Sequence, residues 1–420
     1  MMRFGRILPC GLVLLAACGG ESKPVPVPVG GMTVNGTVIS KNGDPVSGAT
    51  VLLNGAGKLT TGTDGTFRFS GVTPPYNLSV RAGANIAEYR ALTRANPQIA
   101  PVFVFSGRHA TVQGSVTGPT YPLPGSDGIL LAVSGNAQTL SNASASDGTY
   151  TSYIDWWGGS PLTTDLVALR YLYNGALSTP SNFQTGKKTG LTLTDGAELT
   201  GQDIPLNPPM TTLSSILVSS AGAYTNKRQG YYWTLKANGA TFITQGTIPL
   251  VIGAGLNFPS EGASLGVEGY DADGGLALIV APANGGSNLS GETTINLPAS
   301  PVLQNAVPDN GATGISKSPT FSRTGVAGTT LYLLRVIGAG LTYTVFLPST
   351  SSTVPFPDFS SLEAPLLGST TYSWYMESYE TAGYTPDGLT DPATPNRFRF
   401  YTASSLKYFK SPSVKFTTAP

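Results

Sequence analysis

Gly36-Thr37-Val38-Ile39-Ser40, Lys41-Asn42-Gly43-Asp44-Pro45-Val46, Ser47-Gly48-Ala49-Thr50-Val51-Leu52-Leu53, Thr63-Asp64-Gly65-Thr66-Phe67-Arg68-Phe69 and Tyr76-Asn77-Leu78-Ser79-Val80 follow one another within a single stretch of chain. Ala49, Val51 and Leu53 alternate, as one buried strand face requires. Asn42-Gly43 and Asp64-Gly65 supply the positive φ that tight hairpins need. Phe67 and Phe69 enter a core from one strand while Arg68 faces water. The stretch therefore reads as short antiparallel strands closing on a two-sheet core.

The order G-x-V, turn, G-A-x-V, then D-G-x-F-x-F and Y-x-L-x-V resembles the carboxypeptidase regulatory-like domain over roughly residues 34–81. The resemblance implies a small transthyretin-like antiparallel β-sandwich, a scaffold module that brings no catalytic residues. In residues 84–105, Ile86, Tyr89 and Leu92 fit a helical face, but the β context and Val102-Phe103-Val104-Phe105 favour extended structure.

Outward from this unit the pattern continues. A degenerate copy follows at 107–208: Val112-Gln113-Gly114-Ser115-Val116 repeats the opening, and Ser146-Asp147-Gly148-Thr149-Tyr150 repeats the hairpin. The G-A-x-V element is missing there, and Leu166 to Tyr173 reads as a strand. Residues 209–300 carry short strand candidates between Gly-rich turns, among them Ile216-Leu217-Val218, Tyr231-Tyr232-Trp233-Thr234-Leu235 and Leu276 to Val280. No family is recognisable in them, and a β-sandwich is the expectation. In residues 301–420, Ser318 to Ser322, Leu331 to Val336, Thr370 to Ser378 and Val414 to Thr418 read as strands. The T-T-Y-x-W strand and the closing F-T-T strand resemble a fibronectin type III-like sandwich, with Arg323 where an aromatic is common.

Composition agrees with this all-β reading. The 420 residues include 52 glycines and 33 prolines, and only 11% are charged, against about 25% in ordinary domains. The 40% hydrophobic share is enough to build cores. A formal charge of +1 provides no basic field, so nucleic acid is excluded as a partner class.

Residues 1–17 read as a processing segment: Arg3 and Arg6 precede an apolar run from Ile7 to Ala17 that is too short to span a bilayer. Leu15-Ala16-Ala17-Cys18-Gly19 resembles the bacterial lipoprotein signal, which implies cleavage before Cys18 and lipidation of that cysteine. Cleavage removes Cys10, and no disulfide can then form within the mature chain. Residues 18–31 include Glu21 to Gly31, ESKPVPVPVGG, whose Pro-Val alternation favours polyproline II at about 3.1 Å per residue. Such a tether holds the first unit roughly 30 Å off a membrane. No later segment reaches the run of about 18 apolar residues that a spanning helix needs. The expectation is a bacterial envelope protein, anchored by lipid and facing the periplasm or exterior, with tandem β-sandwiches at 32–106, 107–208, 209–300 and 301–420 in a row.

Equipment for catalysis is sparse. His109 is the one histidine, beside Arg108 at a junction, and no G-x-S-x-G elbow accompanies it, so it reads as a surface or linker residue. Zinc sites of the Cys/His kinds are excluded by the same composition. Glu377 and Glu380 near Trp374 invite a glycosidase reading, yet residues three apart on a strand point to opposite faces, and solvated strand-end charges are expected. Asp271-Ala272-Asp273-Gly274-Gly275 resembles part of a calcium loop without its closing Glu, and reads as a turn. No metal, no cofactor and no enzyme activity are expected.

Aromatic residues give the binding candidates. Trp156 and Trp157 precede Gly158-Gly159 in an expected loop, and Tyr232 and Trp233 lie on an expected strand. Exposed rings stack on sugars; alternatively, one ring of each pair plugs a core and its neighbour packs on a loop. The leading function is a non-enzymatic scaffold or binding protein that recruits another envelope protein or a polysaccharide through its strand edges and loops. A carbohydrate-binding accessory protein is the alternative.

Overall fold

A computed structural model describes residues 31–40, 43–101, 108–123, 127–133, 137–139, 141–156, 158–174, 179–207, 307–322, 326–349, 353–393 and 406–420. Between 214 and 297 it describes eight segments: 214–216, 218–220, 226–230, 245–246, 250–252, 264–270, 275–282 and 295–297. The architecture is β throughout, in antiparallel-rich sheets stacked as sandwiches, with one-turn helical pieces at Ser360–Leu362 and Pro386–Leu389.

The first unit has two sheets. Strand Met32–Val38 lies antiparallel to Thr66–Val72 and parallel to Gln98–Ile99. Facing it, Thr50–Leu53 sits between Gly57–Thr60 and Tyr76–Ala82, and Asn85–Leu92 pairs with the last of these. Asn85–Leu92 is thus extended, while residues 102–105 lie outside the described residues. Phe67 and Phe69 are buried and Arg68 is exposed, as alternation demands. The strand Thr50–Leu53 departs from alternation: Val51 enters one core and Leu52 another.

The second unit repeats the first in register. Strand Arg108–Thr117 lies antiparallel to Thr149–Trp156 and parallel to Glu198–Leu199 and Ile204–Pro205. Gly36 stands opposite Phe67, and Gly114 opposite Tyr150; Val38 lies beside Ile99, and Val116 beside Ile204. The D-G-T turns are alike as well. Asp64 Oδ1 accepts from Thr66 N and Oγ1 at 3.1 and 2.7 Å, and Asp147 Oδ1 accepts from Thr149 N and Oγ1 at 3.0 and 2.8 Å. Gly65 and Gly148 have φ of +70° and +77°, and a Cβ on either would sit 2.6 Å from the carbonyl oxygen of Val38 or Val116. A side chain at these positions meets both torsional strain and a backbone clash. The second sheet of this unit runs Ser141–Asn142, Asp127–Val133, Leu162–Asn174, Thr179–Leu193.

The units do not stand in a row. The first unit's sheet continues from Asn85–Leu92 into Leu341–Pro348 of the last, by parallel pairing that sets Asn85 against Thr342 and Tyr89 against Phe346. It then runs through Leu331–Gly338, Thr371–Glu380 and Leu406–Lys410, and on into Leu276–Pro282, Ser264–Tyr270, Asn226–Gly230 and Gln245–Gly246 of the third. With Val414–Thr418 and Ala312–Ile315 attached, this is one 14-stranded sheet. The physical reason is the edge: both Asn85–Leu92 and Leu341–Pro348 end a sheet of their own unit, and pairing satisfies two rows of backbone N–H and C=O groups at once.

Cores form on both faces of the long sheet. Leu331, Leu333, Phe346 and Tyr379 join Val51, Leu78, Val80 and Tyr89 of the first unit on one face. Tyr332, Leu334, Val336, Val345, Leu347 and Trp374 pack on the other, under the strand pair Thr320–Ser322 and Thr353–Pro355 and the segment Phe356–Leu366. Each such fully buried side chain contributes about 1.5–3 kcal/mol of transfer free energy. The seam is therefore part of a core rather than a surface contact.

Candidate functional site

Cys18, Trp157, Tyr232, Trp233 and the segment 271–274 lie outside the described residues. Trp156 is not a ligand platform: it is fully buried, packs with Val112, Ile154 and Leu166, and donates from Nε1 to the Gly159 carbonyl at 3.0 Å. Its place at the end of Thr149–Trp156, in phase with Ile154, turns the ring inward. His109 is exposed near the start of Arg108–Thr117, directly across from Asp155.

Glu377 is not a solvated charge. It is 6% exposed, forms an ion pair with Arg335 (Nε to Oε1, 3.2 Å) and accepts the hydroxyl of buried Tyr379. Burial lowers the proton affinity of Arg335, and Glu377 with the nearby tyrosines more than restores it, so the guanidinium stays a cation. Burial, then Glu377, hold the Tyr379 phenol well above its ordinary range. Glu380 pairs with Lys407 nearer the surface, at 2.7 Å. A buried, neutralised carboxylate is a structural tie: its oxygens are spent on Arg335 and Tyr379, not presented to a substrate.

A second buried acid sits at the seam. Glu88 is 6% exposed, accepts from Ser79 Oγ at 2.9 Å and pairs with Arg90, whose Nη2 reaches the Pro355 carbonyl at 2.8 Å. Further arginines of the first unit reach into the last. Arg81 Nη1 donates to the carbonyls of Leu362 and Glu363 at 2.6 and 2.8 Å, where the Ser360–Leu362 turn ends and its carbonyls lack partners. Arg94 forms an ion pair with Asp391 at 3.1 Å, Thr93 bonds to Asp387, and Gln98 N donates to the Thr390 carbonyl at 2.8 Å. Ion pairs of this kind were not legible from one unit's sequence, because each partner lies in the other.

The first and second units meet at Arg108. Its guanidinium pairs with Asp44 and with Asp195, the latter at 3.1 Å, and donates from Nε to the Gly158 carbonyl at 2.7 Å. Gly43 comes close enough to Gly158 that a Cβ on Gly43 would lie 2.8 Å from the Gly158 Cα. Backbone donation from His109, followed by Arg108, holds the Asp195 carboxyl below its usual range.

The outer face of the second unit presents a different arrangement. Along Thr149–Trp156 the buried Tyr150, Ser152 and Ile154 alternate with outward Thr149, Thr151, Tyr153 and Asp155. Tyr153 is 69% exposed, the most exposed large hydrophobic side chain among the described residues. Thr111 faces it from the neighbouring strand, Gln113 and His109 lie diagonally, and Glu198 flanks Thr111 on the far side. No sequence feature marked Tyr153, because a lone tyrosine in an alternating strand carries no signal of its own; only its inward neighbours Ile154 and Tyr150 settle which way it points.

A family model described as carboxypeptidase regulatory-like domain matches residues 33–102. No curated protein matches the sequence. Among solved structures, a leucine-rich repeat protein from Bacteroides thetaiotaomicron is 10% identical over 41% of this chain and 26% of that one, with a TM-score of 0.17. The chain thus spans about a quarter of that protein's length. The FN1–FN3 domains of chicken CNTN1 are 10% identical over 72% of this chain and 91% of that one, with a TM-score of 0.18. BcpA, the major pilin subunit of Bacillus cereus, is 9% identical over 64% of this chain and 99% of that one, with a TM-score of 0.15.

Proposed function

We propose that this chain is a non-enzymatic envelope lipoprotein, anchored through an acylated Cys18, whose β-sandwich units act as a rigid scaffold for binding. The observation that carries this reading is the shared sheet: arginines of the first unit are consumed in ties to the last, across Tyr89 and Phe346. A module of the carboxypeptidase regulatory-like kind at 33–102, used as a structural partner rather than as a site, fits a scaffold. The last unit is read as fibronectin type III-like. Its strand pairing supports this, as does Tyr372, whose hydroxyl accepts from Leu367 N at 2.8 Å just before its own strand, the geometry of a tyrosine corner.

In this reading the tether enters the unit to which the last is fused, so the carboxyl-terminal unit stands beside the anchor rather than at the far end of a chain of modules. The partner is another envelope protein or a polysaccharide. Metabolic palmitate labelling tests the anchor: the wild type is expected to take up label and Cys18→Ala is not. Equal labelling of the two, or none in either, refutes it. Capture of the acylated protein from solubilised envelope then identifies what it holds.

A further inference from the structure

We propose that the outer face of the second unit, centred on Tyr153, binds a neutral glycan by stacking a sugar ring on the exposed phenol. The duplicated fold separates what the sandwich needs from what has been added. Counted from the aspartate of the D-G-T turn, Tyr153 occupies the place that Ser70 holds in the first unit, and both are exposed. The two units share turn, parallel strand and register as far as Phe69 and Ser152; at the next step the first unit bulges and carries a serine, so the sandwich closes without a ring there. The aromatic ring is an addition the sandwich does not need, and a ligand that covers it gains free energy by removing apolar area from water.

The surroundings select the ligand class. Thr111 stands directly across from Tyr153, with Gln113 and His109 diagonal to it, Thr151 and Asp155 two positions away on its own strand and Glu198 beyond Thr111. Among the described residues, the side chains of Tyr153, Thr111, Gln113 and His109 make no hydrogen bond within the fold. They present hydroxyl, amide and imidazole groups along the neighbouring strand on one side of the ring, which complements a pyranose: an apolar face bordered by hydroxyls that donate and accept. Asp155 and Glu198 give the face an acidic balance, which disfavours polyanions such as nucleic acid or an acidic polysaccharide. The strand face is open rather than a pocket, which suits an extended chain of sugars more than a single small molecule.

The inference goes beyond the scaffold reading and does not depend on the anchor. The test uses the detergent-solubilised full chain, retained on insoluble cellulose, chitin and xylan, with an anionic polymer, heparin, as counter-probe. Retention by at least one neutral glycan is expected, weakened about tenfold by Tyr153→Ser, the residue the sister unit folds with, and preserved in Tyr153→Phe. Absence of retention on all three, equal retention of wild type and Tyr153→Ser, loss in Tyr153→Phe, or stronger binding to heparin each overturns the proposal. Palmitate labelling of Cys18 stands apart from all of these outcomes, so failure of one reading is not mistaken for failure of the other.

Discussion

Tyr89 and Phe346 stack with ring centroids 4.2 Å apart and planes 7° from parallel, one ring from the first unit and one from the last. Both are buried, and they sit where the parallel strands meet. Phe346→Ala removes the ring and opens a cavity in a core shared by both units, so a loss of about 3–5 kcal/mol is expected. The two units should unfold together, at one urea midpoint, when amide hydrogen exchange is followed separately in Thr66–Val72 of the first unit and Thr371–Glu380 of the last. Different midpoints for those two strands in the wild type, or a variant as stable as the parent, contradict a common core.

Arg335 and Glu377 give the second prediction. Their side chains are 15% and 8% exposed, so water screens the pair little. Glu377→Ala leaves a buried guanidinium uncompensated and strips Tyr379 of its acceptor, a cost of about 3–5 kcal/mol. The double variant Arg335→Met with Glu377→Leu, which removes both charges, is expected to recover most of that loss. Glu380→Ala is expected to cost less than about 1 kcal/mol, since its partner Lys407 is half exposed. Thermal denaturation of the four proteins decides it; a double variant no better than Glu377→Ala rules out an uncompensated charge as the cause.

What could be read in advance follows from locality. Alternation at Phe67-Arg68-Phe69, and the glycines at 65 and 148, are local facts, and the structure places them as the residues require. The seam was not local. Leu331–Gly338 reads LYLLRVIG, and Tyr343 to Leu347 reads YTVFL; apolar runs without alternation belong to strands covered on both faces, which a two-layer unit does not provide. The signal lay in the missing alternation, but its partner, Asn85–Leu92, is far away in sequence. Glu377 looked solvated for a related reason: the arginine that makes its burial tolerable lies on a neighbouring strand. For Trp156 the pairing register decided the outcome, because one residue's shift would have turned the ring outward.

The turn aspartates yield a pH prediction. Bonds from Thr66 and Thr149 hold the carboxyls of Asp64 and Asp147 below their ordinary value of 3.8. The unfolded chain therefore binds more protons than the folded one as acid is added, and stability rises with pH through that window. The contribution is complete above the ordinary carboxylate range and fades as pH falls through the folded values. Asp147→Ala is expected to melt below the wild type at pH 7, with the gap closing towards pH 2. A gap that stays constant with pH means the carboxylate charge plays no part in the turn.

Arg108 joins two units through three contacts that no other side-chain type reproduces at once: two carboxylates, Asp44 and Asp195, and the Gly158 carbonyl. The guanidinium is planar and carries five N–H donors, whereas a lysine in its place offers one compact charge and cannot span all three acceptors. Removing it also leaves Asp44 and Asp195 as like charges near one another. Because both carboxylates are about half exposed, overall stability should change little. The orientation between the units should change more. Spin labels at exposed Thr73 and Thr192 report it, with a narrow distance distribution expected in the wild type and a broad one in both Arg108→Ala and Arg108→Lys. If Arg108→Ala keeps the narrow distribution, the close backbone approach of Gly43 and Gly158 suffices to fix the joint; if only Arg108→Lys keeps it, a single positive charge does, and the planar fork is not what holds the units.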